Sequence, residues 1–263
     1  MKENLQERCG KSNMSEKVLI LRKVKNPKIS VIIPTLNEEK NIEECLLSIK
    51  NQNFEKPYEI IVSDSNSKDK TVEIAKNHAN KIVVSRKRGI GYGRNLGAKY
   101  AEGRILVFVD ADTRLNFDTI SKLYEEFTQD KELVGLTSIV LPYPISISNL
   151  FLFSFYNVFV KTSILLKKPQ IPGLFCAYRR DIFEKVNGFD ESLKVLEDYD
   201  LSERISKYGK IKILENTFVY TSTRRIEKWG RLKSIGLYLY LYSLYFIGVK
   251  DYLKKFKLYK PIR

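Results

Sequence analysis

The feature that most constrains the fold is a run of five apolar residues, Ile105–Val109, that leads directly into Asp110 and Asp112. An uninterrupted apolar run of this length is typical of a strand buried on both faces of a parallel sheet. In open α/β sheets, ligands bind beyond the carboxyl ends of such strands, where these two aspartates lie. Close carboxylates repel each other, and oxygen ligands suit Mg²⁺ or Mn²⁺, so the pair indicates a divalent-metal site. The alternative, from these residues alone, is a solvated turn in which Asp112 caps the next helix.

Strands and amphipathic helices alternate through the first half of the chain. Strands are predicted at 29–33, 59–63, 81–84 and 105–109, with helical patterns between them. This alternation predicts an α/β fold with a doubly wound, mostly parallel sheet flanked by helices. Right-handed crossovers would bring all four strand ends to one edge. The polar residues expected at that edge are Thr35, Asn37, Glu38, Asp64, Ser65, Arg86, Arg88, Asp110 and Asp112.

The sequence does not match two common classes of nucleotide-binding loop, and the glycine-rich segment 89–97 is the evidence against the first. Its spacing is G-x-G-x-G-x-x-x-G and it follows the third predicted strand, whereas a dinucleotide-binding loop has G-x-G-x-x-G after the first strand. The one G-K-S triplet, at 10–12, has Leu5 where the pattern G-x-x-x-x-G-K-[ST] requires glycine, so a P-loop is not indicated either.

Charge and cysteine content limit the compartment and the partners. The formal net charge is +15, and residues 222–263 hold eleven Lys/Arg against two acidic residues. The three cysteines, Cys9, Cys45 and Cys176, fit neither a disulfide framework nor a zinc site, which indicates a reducing compartment. The N-terminus lacks the apolar core of a signal peptide. We therefore expect a cytoplasmic location, peripheral on the cytoplasmic face of the cell membrane.

Two apolar segments suggest contact with a membrane surface. Residues 145–166 are long enough for a span, but a polar stripe containing Asn149, Asn157 and Lys161 predicts an amphipathic helix packed on the domain or lying in the interface. Residues 234–249 are uncharged and rich in tyrosine, and lysines follow them, which predicts attachment to an anionic membrane surface. Packing on the rest of the chain or on a second subunit is the alternative, so an oligomer is possible.

Six motifs occur in order between residues 28 and 225. They are V-I-I-P-T-L-N-E-E at 31–39, D-S-N-S-K-D-K-T at 64–71, G-R-N-L-G at 93–97, D-A-D at 110–112, G-F-D-E at 188–191 and E-D-Y-D-L-S-E-R at 197–204. Together they resemble the family 2 glycosyltransferases, whose fold is the GT-A fold of the nucleotide-diphospho-sugar transferase superfamily. The sequence departs from that pattern at Asn66, where many relatives carry glycine.

The resemblance implies a metal-dependent, inverting hexosyltransferase that uses Mn²⁺ or Mg²⁺. The implied roles are donor binding for Pro34, Thr35, Asn37, Glu38, Asp64, Ser65, Arg94, Asn95 and Asp110, metal binding for Asp112, general-base catalysis for Asp198, and a supporting role for Glu197. Arg224 or Arg225 would clamp a phosphate, since guanidinium suits bidentate contacts. For these arginines the alternative is a solvated basic face, and for Glu197 and Asp198 it is simple helix capping.

The expected organisation is a flexible or loosely docked leader at 1–27, a GT-A catalytic domain at 28–225 and a basic, tyrosine-rich helical tail at 226–263. The expected donor is a nucleotide-diphospho-sugar, and the acceptor is a glycan, a lipid-linked glycan or a polyprenyl phosphate. A sugar-nucleotide nucleotidyltransferase is one alternative, although it would want a basic glycine-rich loop after the first strand. A non-catalytic membrane-surface binding protein is the other. Nucleic acid is not an expected partner, because the acidic edge would repel phosphates.

Overall fold

The computed structural model describes residues 16–255, and within them nine strands form one sheet flanked by helices. The strands are β1 (Glu16–Ile20), β2 (Ile29–Thr35), β3 (Tyr58–Asp64), β4 (Lys81–Ser85), β5 (Ile105–Val109), β6 (Thr113–Leu115), β7 (Leu133–Tyr143), β8 (Phe175–Arg179) and β9 (Lys210–Ser222). The helices are α1 (Ile42–Lys50), α2 (Thr71–Lys76), α3 (Ile90–Lys99), α4 (Thr119–Gln129), α5 (Ile147–Leu165), α6 (Arg180–Lys185), α7 (Glu197–Ile205), α8 (Arg224–Trp229), α9 (Arg231–Phe246) and α10 (Lys250–Lys255). The spatial order of the strands is β1-β4-β3-β2-β5-β8-β7-β9-β6.

The first half of the sheet is the predicted parallel one. Strands β4, β3, β2 and β5 are adjacent and parallel. Alternate residues of β2 enter two separate cores: Ile33 packs in the core that contains α1, and Ile32 packs in the core that contains Leu96 of α3. A strand covered on both faces has no polar side to present, which explains its continuous apolar run.

The second half of the sheet is mixed, so the sheet is not mostly parallel along its whole width. Strand β8 runs antiparallel to both of its neighbours, β5 and β7, and β6 is antiparallel to β9, whereas β7 and β9 are parallel. Strands and helices keep alternating along this part of the chain, so the pattern of apolar residues does not reveal the reversal of direction.

The N-terminal part of the described chain forms an edge strand. Strand β1 pairs antiparallel with β4, and the Glu16 carboxylate accepts hydrogen bonds from Lys99 Nζ at 3.1 Å, Tyr100 OH at 3.2 Å and Tyr92 OH at 3.2 Å. Residues 16–20 of the expected flexible or loosely docked leader are thus paired with the sheet. Residues 1–15, which include Cys9, lie outside the described part of the chain, as do tail residues 256–263.

The predicted tail is helical and packs on the domain. Its first helix, α8, begins at Arg224, two residues before the predicted boundary. Leu241, Tyr245 and Leu253 of α9 and α10 share a core cluster with Leu196 and Tyr199, around the start of α7. Over residues 16–255, no helix has both the length and the apolar character that crossing a membrane requires.

Candidate active site

The predicted polar edge exists at the carboxyl ends of β2, β3 and β5. Thr35 and Asp64 are partners in the parallel register of β2 and β3, and Thr35 Oγ1 donates to Asp64 Oδ1 at 2.9 Å. Asp110 and Asp112 follow β5, and Arg224 links Asp112 to Glu38 beyond β2. The strand ends and the start of the tail therefore meet around one set of carboxylates.

Asp64 fixes the two loops at the predicted nucleotide side. Its Oδ2 accepts the backbone N–H of Ser67 at 2.8 Å, and Ser67 Oγ in turn accepts the backbone N–H of Asn37 at 2.8 Å. Asn37 Oδ1 accepts the N–H of Lys68 at 2.8 Å, and the backbone N–H of Ser65 donates to Thr35 O at 2.9 Å. The loops after β2 and β3 thus form one hydrogen-bonded unit that can present a fixed surface to a ligand.

The departure from the family pattern at Asn66 is compatible with this loop. Asn66 has a φ of 62°, in the left-handed region that glycine adopts readily and that asparagine tolerates better than most residues. The loop therefore keeps a glycine-like backbone without glycine.

Arg94 is the buried centre of the site. Its Nη1 donates to Glu197 Oε1 at 2.7 Å, and its Nη2 donates to Asp110 Oδ1 and to Gly173 O, each at 2.9 Å. Burial lowers the pKa of Arg94, but Asp110 and Glu197 outweigh that effect, so the pKa is raised above its ordinary value. A buried cation needs such partners. Arg94 thereby joins the end of β5 to the start of α7.

Asp112 lies in a carboxylate-rich pocket beside Asp110 and Glu38. Arg224 contacts Asp112 Oδ2 at 3.0 Å through Nη2 and holds Glu38 in a bidentate pair at 2.7 and 2.8 Å. Burial raises the pKa of Asp112 to about 6, with Asp110 and Glu38 adding to the rise and Arg224 opposing it. The ionised form of a carboxylate that is buried beside two other carboxylates is stabilised by an added positive charge.

The residues of the site fit a divalent cation that is coordinated mostly by the phosphates of a bound nucleotide and only in part by the protein. Arg94 and Arg224 are each shared between two carboxylates, so each ion-paired group keeps an excess negative charge. No cluster of three or more His, Cys, Asp or Glu suited to a metal is found in the described range 16–255. Asp112 could therefore supply an oxygen ligand, and the phosphates of a bound nucleotide could supply others.

Asp198 lies at the start of α7, directly after Glu197, which pairs with Arg94. Its Oδ2 accepts the backbone N–H of Gly173 at 2.6 Å, and its Oδ1 accepts the backbone N–H of Tyr199 at 3.0 Å. Burial and the neighbouring carboxylate of Glu197 raise the pKa of Asp198 to about 7. A carboxylate with a pKa near neutrality is suited to general-base catalysis at physiological pH.

A tyrosine cluster beside Asp198 was not anticipated. Tyr199 stacks on Tyr242 of α9 with ring centroids 5.1 Å apart, and their hydroxyl groups are in contact. Phe159 of α5 packs on Tyr242 at 5.2 Å. The pKa of Tyr156 is raised by burial and by the charge of Asp198. Packing of the tyrosine-rich segment 234–249 on the rest of the chain was one of the two expectations, but its pattern does not indicate that Tyr242 contacts Tyr199.

Three predicted site residues have mainly structural contacts. Asn95 donates to Phe189 O and accepts from Phe189 N, both at 2.9 Å, so it holds the G-F-D-E turn. Pro34 is buried at the end of β2, facing Gly93. Arg225 lies over the Trp229 ring at 5.9 Å and donates to Tyr238 OH at 3.4 Å. Arg224 contacts two of the site carboxylates directly, and the charge of Arg225 also acts to lower the pKa of Asp112.

This sheet, with an acidic edge built from successive strand ends, has the architecture of a GT-A glycosyltransferase. Residues 30–186, more than half of the chain, match the family Glycosyl transferase family 2, and the chain belongs to that family. The predicted fold class, family and enzyme class are thereby confirmed, and the nucleotidyltransferase and non-catalytic alternatives are set aside.

Relatives of the chain include two curated transferases. It is 39% identical over 100 residues to the poly(ribitol-phosphate) β-N-acetylglucosaminyltransferase TarS of Staphylococcus aureus, covering 35% of this chain and 18% of TarS. It is 29% identical over 233 residues to the dolichol-phosphate mannosyltransferase of Pyrococcus furiosus, covering 83% of this chain and 63% of that enzyme. The chain thus spans less than two-thirds of the length of either relative.

Solved structures share the fold. S. aureus TarS 1–349 in complex with UDP-GlcNAc superposes with a TM-score of 0.60 and 25% identity, covering 75% of this chain and 59% of that one. The mannosyltransferase PcManGT from Pyrobaculum calidifontis, in complex with GDP-Man and Mn²⁺, gives a TM-score of 0.63 at 24% identity, covering 74% and 57%. At that identity, the PcManGT structure supports the fold alone.

Proposed function

We propose that the protein transfers a hexosyl group from a nucleotide-diphospho-sugar to a glycan, lipid-linked or polyprenyl-phosphate acceptor, with inversion and with the help of Mn²⁺ or Mg²⁺. The observation that carries this proposal is Asp198, a carboxylate with a pKa of about 7 that lies beside the Arg94 network. The relatives named above, which act on poly(ribitol-phosphate) and dolichol phosphate, support a cell-envelope or lipid-linked glycan as acceptor.

The loops after β2 and β3 bind the nucleotide in this proposal. Thr35, Asn37, Asp64 and Ser65 belong to the hydrogen-bonded unit described above, which needs little ordering when a ligand arrives. Glu38 lies at the same edge, paired with Arg224. Asn95 and Pro34 contribute through their contacts with Phe189 and Gly93, and Arg225 adds positive charge near Asp112.

Asp112 would hold the divalent cation, and Asp110 would lie beside the donor sugar. A bound cation supplies charge neutralisation for the diphosphate leaving group. Arg94 keeps Asp110 and Glu197 in place, because its two Nη atoms span both carboxylates. Arg224 provides a guanidinium that can exchange its carboxylate partners for a phosphate oxygen when the donor binds.

Asp198 removes the proton from the acceptor hydroxyl group. At the same time, the oxygen of that hydroxyl group attacks the anomeric carbon of the donor sugar. The new carbon–oxygen bond forms as the bond to the nucleoside diphosphate breaks, and the leaving group keeps the electron pair. Attack from the face opposite the leaving group inverts the anomeric configuration. A phosphate acceptor is already ionised, so the need for a base would be smaller in that case.

The substitution Asp198→Asn tests this role. With a hydroxyl acceptor, we expect transfer to fall by about 10²–10⁴-fold, the typical contribution of a general base, while donor affinity changes little. Transfer is measured by release of nucleoside diphosphate, and donor binding by calorimetry. Asp181→Asn, which changes an exposed carboxylate on α6, is the matched control. Unreduced transfer to a hydroxyl acceptor would contradict the assignment.

A further inference from the structure

Helix α5 carries an exposed apolar face. Ile147, Phe151, Phe155, Val158 and Leu165 are all exposed, and their spacing of three, four or seven residues places them on one side of the helix. Phe151 and Phe155 also pack edge to face, with centroids 4.8 Å apart. The opposite side of α5 is buried against the sheet through Phe153 and Val160.

Helix α9 has the same two-sided character. Leu232, Ile235, Leu239 and Tyr240 are exposed along one side, whereas Leu241 and Tyr245 are buried on the other. The two helices touch through the Phe159–Tyr242 contact, so their exposed sides belong to neighbouring elements. We call the exposed apolar residues of α5 and α9 the apolar face. Neighbouring exposed apolar side chains on two helices are typical of an interaction surface.

Positive charge predominates around the apolar face, and the nearby acidic residue Glu215 is paired with Lys161 of α5. Neither α5 nor α9 contains an acidic residue. Lys167 lies exposed just beyond α5, and Arg231 and Lys233 lie exposed in the first turn of α9. Cations at a helix N-terminus oppose the helix dipole. The positive charges of Arg231 and Lys233 are therefore electrostatically unfavourable in the isolated chain. An anionic partner over the start of α9 would make them favourable.

We propose that the apolar face docks on the interface of an anionic lipid bilayer. Leu and Phe side chains would enter the acyl boundary, Tyr240 would lie at headgroup depth, and Arg231 and Lys233 would contact lipid phosphates. A second copy of the chain is a poorer occupant, because neither α5 nor α9 offers an acidic residue to pair with the Arg231 and Lys233 of the other copy. Anionic lipid satisfies both the apolar and the cationic parts of the surface.

The buried side of α9 contacts the candidate active site. Tyr242 of α9 stacks on Tyr199, the residue after Asp198, and Tyr245 OH donates to Glu203 of α7 at 2.6 Å. Docking would therefore hold the Asp198 side of the site close to the bilayer. That an acceptor enters from the bilayer rests on the proposed transferase function, whereas docking itself does not.

Vesicle sedimentation tests the docking independently of catalysis. We expect the full chain to sediment with phosphatidylcholine–phosphatidylglycerol vesicles at low salt and to bind pure phosphatidylcholine vesicles at least about tenfold more weakly, as surface electrostatics predict. The triple variant F151Q/F155Q/L239Q should lose at least about tenfold of that binding. Phe117→Gln is the matched control, because Phe117 is as exposed as Phe155, at 61%, but precedes α4, away from the apolar face.

The charged rim is tested by R231E/K233E, which should weaken binding to the anionic vesicles and leave the melting temperature within the range of the control. Retained binding in both multiple variants would overturn the proposal, as would the absence of sedimentation of the unmodified chain at low salt. A dimer that dissociates in the triple variant, without any vesicle binding, would assign the face to self-association instead. Donor binding, measured in parallel, is expected to be the same in all variants, so a failure of docking is distinguishable from a failure of the transferase assignment.

Discussion

The reactivity proposed for Asp198 comes from its immediate neighbours. An isolated aspartate is ionised at neutral pH and is a weak base, whereas burial and Glu197 bring the pKa of Asp198 to about 7. Arg94 limits this rise, because its positive charge favours the ionised form. The pKa of Asp198 is therefore set by burial, by the carboxylate of Glu197, which raises it, and by the guanidinium of Arg94, which lowers it.

This pKa sets the expected pH dependence of transfer. A raised carboxyl pKa means that Asp198 is protonated below pH 7 and ionised above it, and only the ionised form accepts a proton. We therefore expect kcat/KM with a hydroxyl acceptor to fall by about tenfold per pH unit on the acid side of an apparent pKa near 7. Initial rates at saturating donor across the neutral range would measure it. A rate that is flat through pH 7 would assign the base elsewhere.

At the level of single residues, the sequence predicted the acidic groups better than their partners. Asp64, Asp110, Asp112 and Asp198 follow strands or open a helix, so a motif and a strand end suffice to place them. The role of Arg94 as a buried link to Glu197 could not be predicted, because the two residues are 103 positions apart and approach only when β8 and its preceding loop fold between them. Long-range pairs of this kind leave no local pattern.

At the level of elements, the packing of α3 on the sheet determines where Arg94 lies. Gly97 faces β2 so closely that an added Cβ would come within 2.4 Å of Ile32 Cγ2. The glycine-rich segment, which the spacing had separated from dinucleotide-binding loops, thus permits close helix–sheet contact. Arg94 is one turn earlier on the same helix and is positioned by that contact.

Gly97→Ala should therefore destabilise the protein by about 1–3 kcal/mol, the usual cost of overpacking. It should also weaken the Arg94 contacts and lower transfer. Gly236→Ala is the matched control, because Gly236 is also within a helix but has nothing within 4 Å of an added Cβ. There, alanine should be neutral or stabilising by up to about 1 kcal/mol, since glycine disfavours helix. Equal unfolding free energies of the two variants, measured by denaturant titration, would contradict this view of α3.

The elements differ in how far their sequence reveals them. The buried strands β2, β3 and β5 are evident from their apolar runs, whereas the antiparallel direction of β8 depends on how the chain returns after α5. Strand β1 has only a short apolar run, Val18–Ile20, and it is held by pairing with β4 and by the polar contacts of Glu16. In α9, the tyrosine pattern indicated an interface, but it did not distinguish the outward side from the side that packs on Tyr199.

For the whole molecule, the distribution of charge matters more than the total. A net charge of +15 coexists with an edge at which Arg94 and Arg224 each serve two carboxylates. In the proposed function, a nucleoside diphosphate would be attracted to the protein at long range but would meet negative charge at the carboxylate edge. A divalent cation bound there would offset this repulsion.

Metal removal should accordingly abolish donor binding. With Mn²⁺ and donor at about a hundredfold excess over Kd, we expect a rise in melting temperature of roughly 5 °C for a chain of this size, and no rise in EDTA. A thermal-shift screen of UDP-, GDP- and CDP-sugars would also identify the nucleotide. Asp112→Asn should lose the Mn²⁺-dependent part, while Asp181→Asn keeps it. A full shift in EDTA would refute metal dependence.

The bidentate pair between Glu38 and Arg224 also has a consequence for synthesis on the ribosome. It joins residues 186 positions apart, and Arg224 follows the last strand of the sheet. A nascent chain that has already made every strand end of the nucleotide side still lacks the guanidinium that holds Glu38 and Asp112 together. The carboxylates of Glu38 and Asp112 therefore gain their cationic partner only after β9 has been translated. In the proposed function, we expect the donor to bind the completed chain and not an early folding intermediate.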